Sequence, residues 1–154
     1  MTSGVAVFDA SPLIVFHQIG QLEILRWVFA HAIVPTVVAR EVAPSLGELP
    51  GWIAVHHDFP IPSSSRKIDD GERAAIALAM RLSADFVVLD DLAGRRAAVG
   101  VGLTAIGSLG LLVRAKRSGL IREVRPEMDA MIFSGLFASE ALYRQILSIA
   151  GEDE

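Results

Sequence analysis

Short runs of consecutive apolar residues that stop at acids constrain this chain most. VAVF (5–8) ends at Asp9, and FVVL (86–89) runs directly into Asp90 and Asp91. An apolar run without polar alternation is the pattern of a strand covered on both faces. A third strand is expected around Ala32 to Val34, an edge strand at IAVHH (53–57) and a last one at LTAIG (103–107). Helical segments lie between them. SPLIVFHQIG (11–20) has Ser11 as the expected N-cap, Pro12 in the first turn and Gly20 as a stop. QLEILRWVF (21–29) follows, then TVVAREV (36–42), where Val37, Val38 and Val42 form a core stripe beside Glu41. IDDGERAAIALAMRLSA (68–84) is alanine-rich, with Asp69 or Asp70 as its cap and Asp69-x-x-Glu72 arranged like a capping box. LAGRRAAVGVG, SLGLLVRAKRSG and two segments near 126–134 and 139–150 complete the helices, while PIPSSS (60–65) is a turn. Strand and helix alternate, so the expected fold is α/β, a parallel sheet with helices on both faces.

At 154 residues and 52% hydrophobic, the chain is expected to form a single domain, 1–154, with an ample core. The absence of cysteine excludes disulfides, zinc-thiolate clusters and a thiol nucleophile. A formal charge of −4 argues against a general polyanion-binding surface but leaves room for an acidic site neutralised by metal. MTSGVAVFDASP has no basic region ahead of its apolar run, and no apolar stretch reaches membrane-spanning length, so a cytoplasmic location is expected.

In sheets of this kind the ligand site lies beyond the carboxyl ends of the strands, where strand order reverses. If the first and fourth strands are neighbours there, Asp9 and the Asp90–Asp91 pair meet in space. Like charges so gathered are tolerable around a divalent cation, and Mg²⁺ and Mn²⁺ favour oxygen ligands. Other site classes fail on spacing: there is no GxxxxGK[ST] loop, GVGLTAIGSLG does not satisfy GxGxxG, and Ser108 lies outside any GxSxG elbow. In His56-His57-Asp58, adjacent strand residues point to opposite faces, which argues against a metal cluster.

VFDASPLI (7–14), VPTVVAREV (34–42), DDGERAAIALA (69–79), VVLDDLAGRRAA (87–98) and GLTAIGSLGLLVRAKRSGLI (102–121) together resemble the PIN-domain superfamily of nucleases. Within it the chain is similar to a small prokaryotic group of unknown function related to VapC-type toxins. The resemblance covers the whole domain and implies a PIN-like three-layer fold, a parallel sheet of about five strands with helices on both faces. It also implies a metal-dependent acidic site. Asp9 matches the acid ending the first strand, Glu41 the acid on the following helix, and Asp91 the acid after the fourth strand, with Asp90 beside it. Glu72 stands one position before the family's usual aspartate, so its longer side chain would have to reach the same ion.

These matches give a catalytic set of Asp9, Glu41, Glu72 and Asp91, and a metal set of the same four with Asp90, for Mg²⁺ or Mn²⁺. Ser11, Arg95 and Arg96 are candidate substrate contacts, with Arg114, Lys116 and Arg117 as a second basic cluster. Each has a plainer reading. Asp9 can cap a helix, Glu41 can be a solvated helix residue, Glu72 can complete a capping box, and the arginines can be solvated faces. Asp90–Asp91 resists such a reading, because a turn needs at most one aspartate. Two functions stay open: a metal-dependent ribonuclease acting on RNA, as the toxin partnered by an antitoxin protein, or a PIN-like interaction or regulatory module without productive catalysis. The apolar excess of GLTAIGSLGLLV and MIFSGLFASEALYRQIL leads to the expectation of a homodimer.

Overall fold

The computed structural model describes residues 4–57 and 69–153. Five parallel strands, β1 (Val5–Phe8), β2 (His31–Pro35), β3 (Ile53–His56), β4 (Phe86–Val88) and β5 (Ala105–Ile106), form one sheet in the order β3-β2-β1-β4-β5. β1 is the central strand: Ala6 lies opposite Ala32 on one side and Phe86 on the other. The order reverses between β1 and β4, so the first and fourth strands are neighbours, the condition under which their terminal acids meet.

Strand alternation divides the interior in two. Ala6, Phe8, Ala32, Val34 and Val88 point to one face, and Val7, Ile33, Val87 and Leu89 to the other. The first face is covered by α1 (Ala10–Gln18), α2 (Leu25–Val28, entered through a single 3-10 turn at Leu22–Ile24), α3 (Thr36–Leu46), α6 (Ser108–Arg117), α7 (Val124–Phe133) and α8 (Glu140–Ile149). The second is covered by α4 (Asp70–Leu82) and α5 (Leu92–Gly100), whose small residues Ala75, Ala79 and Ala98 let the backbone come close to the sheet. Phe29 packs against two strand residues, edge to face with Phe8 at the end of β1 and tilted against Phe86 at the start of β4, with centroids 5.8 and 5.4 Å apart. β3 is an edge strand, as expected; Asp58 and the PIPSSS turn lie outside the described residues.

Three local expectations are corrected. α1 starts at Ala10, so Asp9 occupies the N-cap position and Ser11 is already helical; β1 leads into α1 with no intervening loop. Arg114 is not a solvated phosphate contact, because its guanidinium lies 4.5 Å from the centre of the Phe86 ring, and Phe86 begins β4 at the end of the sheet away from Asp90 and Asp91. Lys116 is committed to the Ala150 carbonyl and to Glu152. Most of the apolar excess packs inside the chain, where Leu109, Leu111, Leu112, Met128, Met131, Ile146 and Leu147 are buried, leaving Phe133, Phe137 and Ile149 exposed. Among the described residues no helix is long and apolar enough to cross a membrane.

The C-terminal segment locks this arrangement. The Glu152 carboxylate accepts from Lys116 Nζ at 2.9 Å and from the backbone N–H groups of Val124 and Arg125 at 2.6 and 2.9 Å. It therefore caps α7 from outside and ties it to α6. Burial acts to raise its pKa, but these donors outweigh that and the net shift is downward. Glu152→Ala, which leaves three donors without their acceptor, is expected to cost ~2 kcal/mol in urea unfolding at neutral pH. An unchanged midpoint would show that water replaces the carboxylate at no cost.

Candidate active site

Asp9 extends the central pairing by one residue: its N–H donates to the Val88 carbonyl at 2.9 Å, which fixes its side chain where β1 and β4 diverge. The residue is only 6% exposed. α3 and α4 bring two more acids to it. A Cβ on Gly71 would collide with a Glu41 carboxylate oxygen and lie 3.1 Å from Asp9 Oδ1, so the bare glycine in DDGE is what lets α4 seat against both carboxylates.

Glu72, also 6% exposed, is positioned by the capping box foreseen at the start of α4. Its backbone N–H donates to Asp69 Oδ1 at 2.8 Å, and its own carboxylate accepts from the Asp69 N–H at 3.3 Å. The far side of that carboxylate faces α5, where a Cβ on Gly94 would come within 3.5 Å of Glu72 Oε2. Asp91 caps α5 at the same glycine, accepting from Gly94 N at 3.0 Å. The two acids therefore share the first turn of α5.

Asp90 has a separate task. Its carboxylate accepts from Ser108 N at 2.7 Å, Ser108 Oγ at 2.8 Å and Ser11 Oγ at 3.1 Å, clasping the start of α6 to α1. The expectation that a turn needs at most one aspartate is thereby corrected: two helices begin beside this strand end, and each takes one.

One cleft of about 750 Å³ is lined by Asp9, Glu41, Glu72, Asp90 and Asp91 together with Ser11 and Arg95. Arg96 does not line it and is exposed on α5. Arg95 is moored at the rim, where its guanidinium donates to the carbonyls of Leu89 and Asp90. The cleft also contains residues that the sequence reading did not assign to the site: Asp69, Ile14, Leu92, Leu136, Phe137 and Leu142. The DDGE motif offered a signal for Asp69, whose role looked complete as a cap. Nothing in the sequence pointed to the other five.

The electrostatics follow from this crowding. Burial, followed by the charges of Asp69, Glu41 and Asp90, pushes the Asp9 pKa up to about 7 against an opposing bond from Ala10 N–H. Burial, then the charges of Asp69, Asp91 and Asp9, does the same to Glu72, also to about 7. Glu41 is raised for the same reasons, with Asp69 and Asp70 as its neighbours. Asp69 contributes to all three.

Oxygen-only donors carrying this much uncompensated negative charge match the chemistry of a hard divalent cation. Among the described residues, however, no three Asp, Glu or His side chains are arranged to grip one ion. The reason is visible in the hydrogen bonds: Glu72, Asp91 and Asp90 are turned toward backbone and hydroxyl donors.

A family model for DUF3368, a PIN domain, matches residues 5–152. The chain belongs to this PIN-domain family. A comparison with curated proteins finds no significant match. Among solved structures the chain is similar to a PilT N-terminus domain protein from the hyperthermophilic archaeon Sulfolobus solfataricus P2, at 13% identity and a TM-score of 0.48, over 88% of this chain and 98% of that one. The family match and the five-stranded parallel sheet bear out the expected PIN-like α/β fold, and the family is a nuclease-like one that generally uses divalent metals.

The raised carboxyls set a pH dependence. A carboxyl whose folded pKa exceeds its unfolded value binds its proton more tightly when folded, so its contribution is greatest below the unfolded pKa and is lost as pH rises through the folded one. With Asp9 going from 3.8 to about 7 and Glu72 from 4.5 to about 7, the window runs from roughly pH 4 to 7. In EDTA the melting temperature is expected to fall across that range, by the equivalent of on the order of a few kcal/mol, with Asp9→Asn flattening the fall. A level profile in EDTA would show that the cleft charges are already compensated.

Proposed function

We propose that this PIN-domain protein is a Mg²⁺- or Mn²⁺-dependent ribonuclease that hydrolyses RNA phosphodiester bonds in the cleft between β1 and β4. The observation that carries the reading is the pair of buried carboxylates, Asp9 and Glu72, with Glu41 and Asp91 beside them and Arg95 as the basic side chain among the described cleft residues. The caps made by Glu72 and Asp91 stabilise their helices, but gathering four carboxylates in one cleft adds repulsion that a bound cation would relieve.

Asp9, Glu41, Glu72 and Asp91 would hold the ion, directly or through water. A bound divalent ion supplies an activated water and neutralises charge developing on the phosphate. Asp9 has the most constrained place, because β1 and β4 both position it. Asp91 and Glu72, exchanging backbone partners for the ion, would hold the opposite side. Asp90, already engaged by Ser11 and Ser108, serves to keep α1 and α6 in position, and Arg95 lies where a substrate phosphate would pass. In the finer form of this reading the enzyme is the toxin of a toxin-antitoxin pair whose antitoxin inserts into the acidic cleft, and the protein pairs as a homodimer.

One observation favours the alternative, a PIN-like interaction or regulatory module: Glu72, Asp90 and Asp91 are satisfied by the fold itself. Purified protein incubated with single-stranded and structured RNA in Mg²⁺, Mn²⁺ or EDTA separates the two. The expected result is cleavage with either metal and none in EDTA. Asp91→Asn is the informative variant, because asparagine caps a helix as well as aspartate does and the fold should persist. Cleavage by that variant is expected to fall on the order of 100-fold. Activity equal to the parent would remove Asp91 from the chemistry, and absence of metal-dependent cleavage of either RNA would favour the module.

A further inference from the structure

We propose that Phe137 is a stacking platform for an unpaired base of the substrate strand, placing the adjoining phosphate over the carboxylate floor; the inference deepens the ribonuclease reading and rests on it. Phe137 is 86% exposed, a costly position for a phenyl ring in water, and it lines the cleft that holds Asp9, Asp91 and Arg95. It also borders two adjoining hollows. One is lined by Ser108, Leu109 and Gly110, and the other by Ser11, Val15, Gln18 and Ser134. Phe137 thus borders the cleft and both hollows.

Its exposure is built in by its neighbours. α7 ends in a Schellman motif in which Gly135 N–H donates to the Ile132 carbonyl and Leu136 N–H to the Met131 carbonyl, both at 3.0 Å. Gly135 has φ +119°, a conformation open to glycine, and this turn sends Leu136 back onto the core. Two residues past Phe137, Ser139 caps α8 by accepting from Leu142 N at 3.1 Å. Leu136 and Ala138 both pack against the core, so Phe137 is directed outward between two anchored residues. The backbone that presents the ring is therefore ordered before binding, so that only the side-chain torsions are fixed when a base stacks on it.

Charge selects the occupant. The protein carries −4 overall, its cleft floor is acidic, and Arg95 is the basic side chain among the described cleft residues. Few phosphate contacts are available among the described cleft residues, which favours a non-electrostatic source of affinity for a nucleic-acid strand. Stacking on an aromatic face supplies one that tolerates sequence, and a base can reach it only when unpaired. Phe133, 93% exposed on the last turn of α7, does not line the cleft and serves as the control.

The test uses the full chain, a mixed-sequence single-stranded oligoribonucleotide and the same strand annealed to its complement, with Mn²⁺. Phe137→Ala is expected to raise KM for the single strand roughly 10-fold, with a smaller effect on kcat. Phe137→Trp should keep the parental KM, and its emission should be quenched by the single strand beyond the parental signal from Trp27 and Trp52. Phe133→Ala should match the parent. Equal KM values for parent and Phe137→Ala would overturn the platform, as would an equal loss in Phe133→Ala. So would a parent that scatters light as a dimer while Phe137→Ala is a monomer with unaltered RNA binding. Quenching is read whether or not RNA is cut, which keeps the two readings apart. A parent that cleaves without quenching of Phe137→Trp loses the platform alone, whereas quenching without cleavage supports the platform and removes the nuclease reading.

Discussion

The pairing of β1 with β4 is the contact on which the rest of this molecule depends. Val7 lies opposite Val87 and Phe8 opposite Val88, all fully buried, and the Asp9 N–H continues the ladder onto the Val88 carbonyl. Parallel strands cannot be neighbours by a tight turn, so each needs a crossover that leaves and returns over a face of the sheet. The crossovers from β1 run toward β2 and β3, and β4 and β5 are added on the other side, so two sets of helices diverge at this one seam. The opening between them is the cleft. Shifting β4 by one residue against β1 would turn Val87 and Val88 to the wrong faces and move Asp90 and Asp91 relative to Asp9.

Six acids line that opening, and the structure does not use them alike. Asp90 and Asp91 are satisfied locally, by the starts of α6 and α5. Asp9 is held by burial, and its raised pKa records the cost of charging it there. Glu72 stands between these cases: it completes a capping box, which makes it structural, and yet its carboxyl is buried between Asp69 and Asp91, which makes its charge expensive. A capping role and a place in an acidic site are therefore compatible in one residue, because the cap uses one carboxylate oxygen and the other faces α5.

The sheet was legible because buried parallel strands write themselves as unbroken apolar runs, and VAVF and FVVL can hardly be read otherwise. The convergence of Asp9 with Asp90 and Asp91 followed from the general rule for strand ends, and the capping box of α4 from its spacing. What could not be read were matters of partnership. Ser11 looks like a cap because serine so often is one, but β1 passes directly into α1 and leaves its hydroxyl to Asp90. Arg114 and Lys116 look like a basic patch in one dimension; in three, one lies on Phe86 and the other is tied to Glu152. The exposed rim at Leu136–Phe137 was read only as part of an apolar excess, since a sequence cannot tell which apolar residue of SGLFAS is turned outward.

The two walls of the cleft differ in how they are held, and this bears on what they can do. The acidic floor is made by strand ends and helix starts, where backbone N–H groups compete with any incoming cation for the same carboxylate oxygens. A cation that wins this competition must take carboxylates from donors that then turn to water, so the floor is rigid in its backbone and adjustable in its side chains. The apolar rim is the reverse. Its backbone is fixed by the Schellman turn after α7, by the Ser139 cap and, at the far end of α7, by Glu152, all of them outside the cleft's own acidic set. A strand bound across the cleft as proposed would meet a surface that is fixed where shape must be recognised and adjustable where charge must be matched.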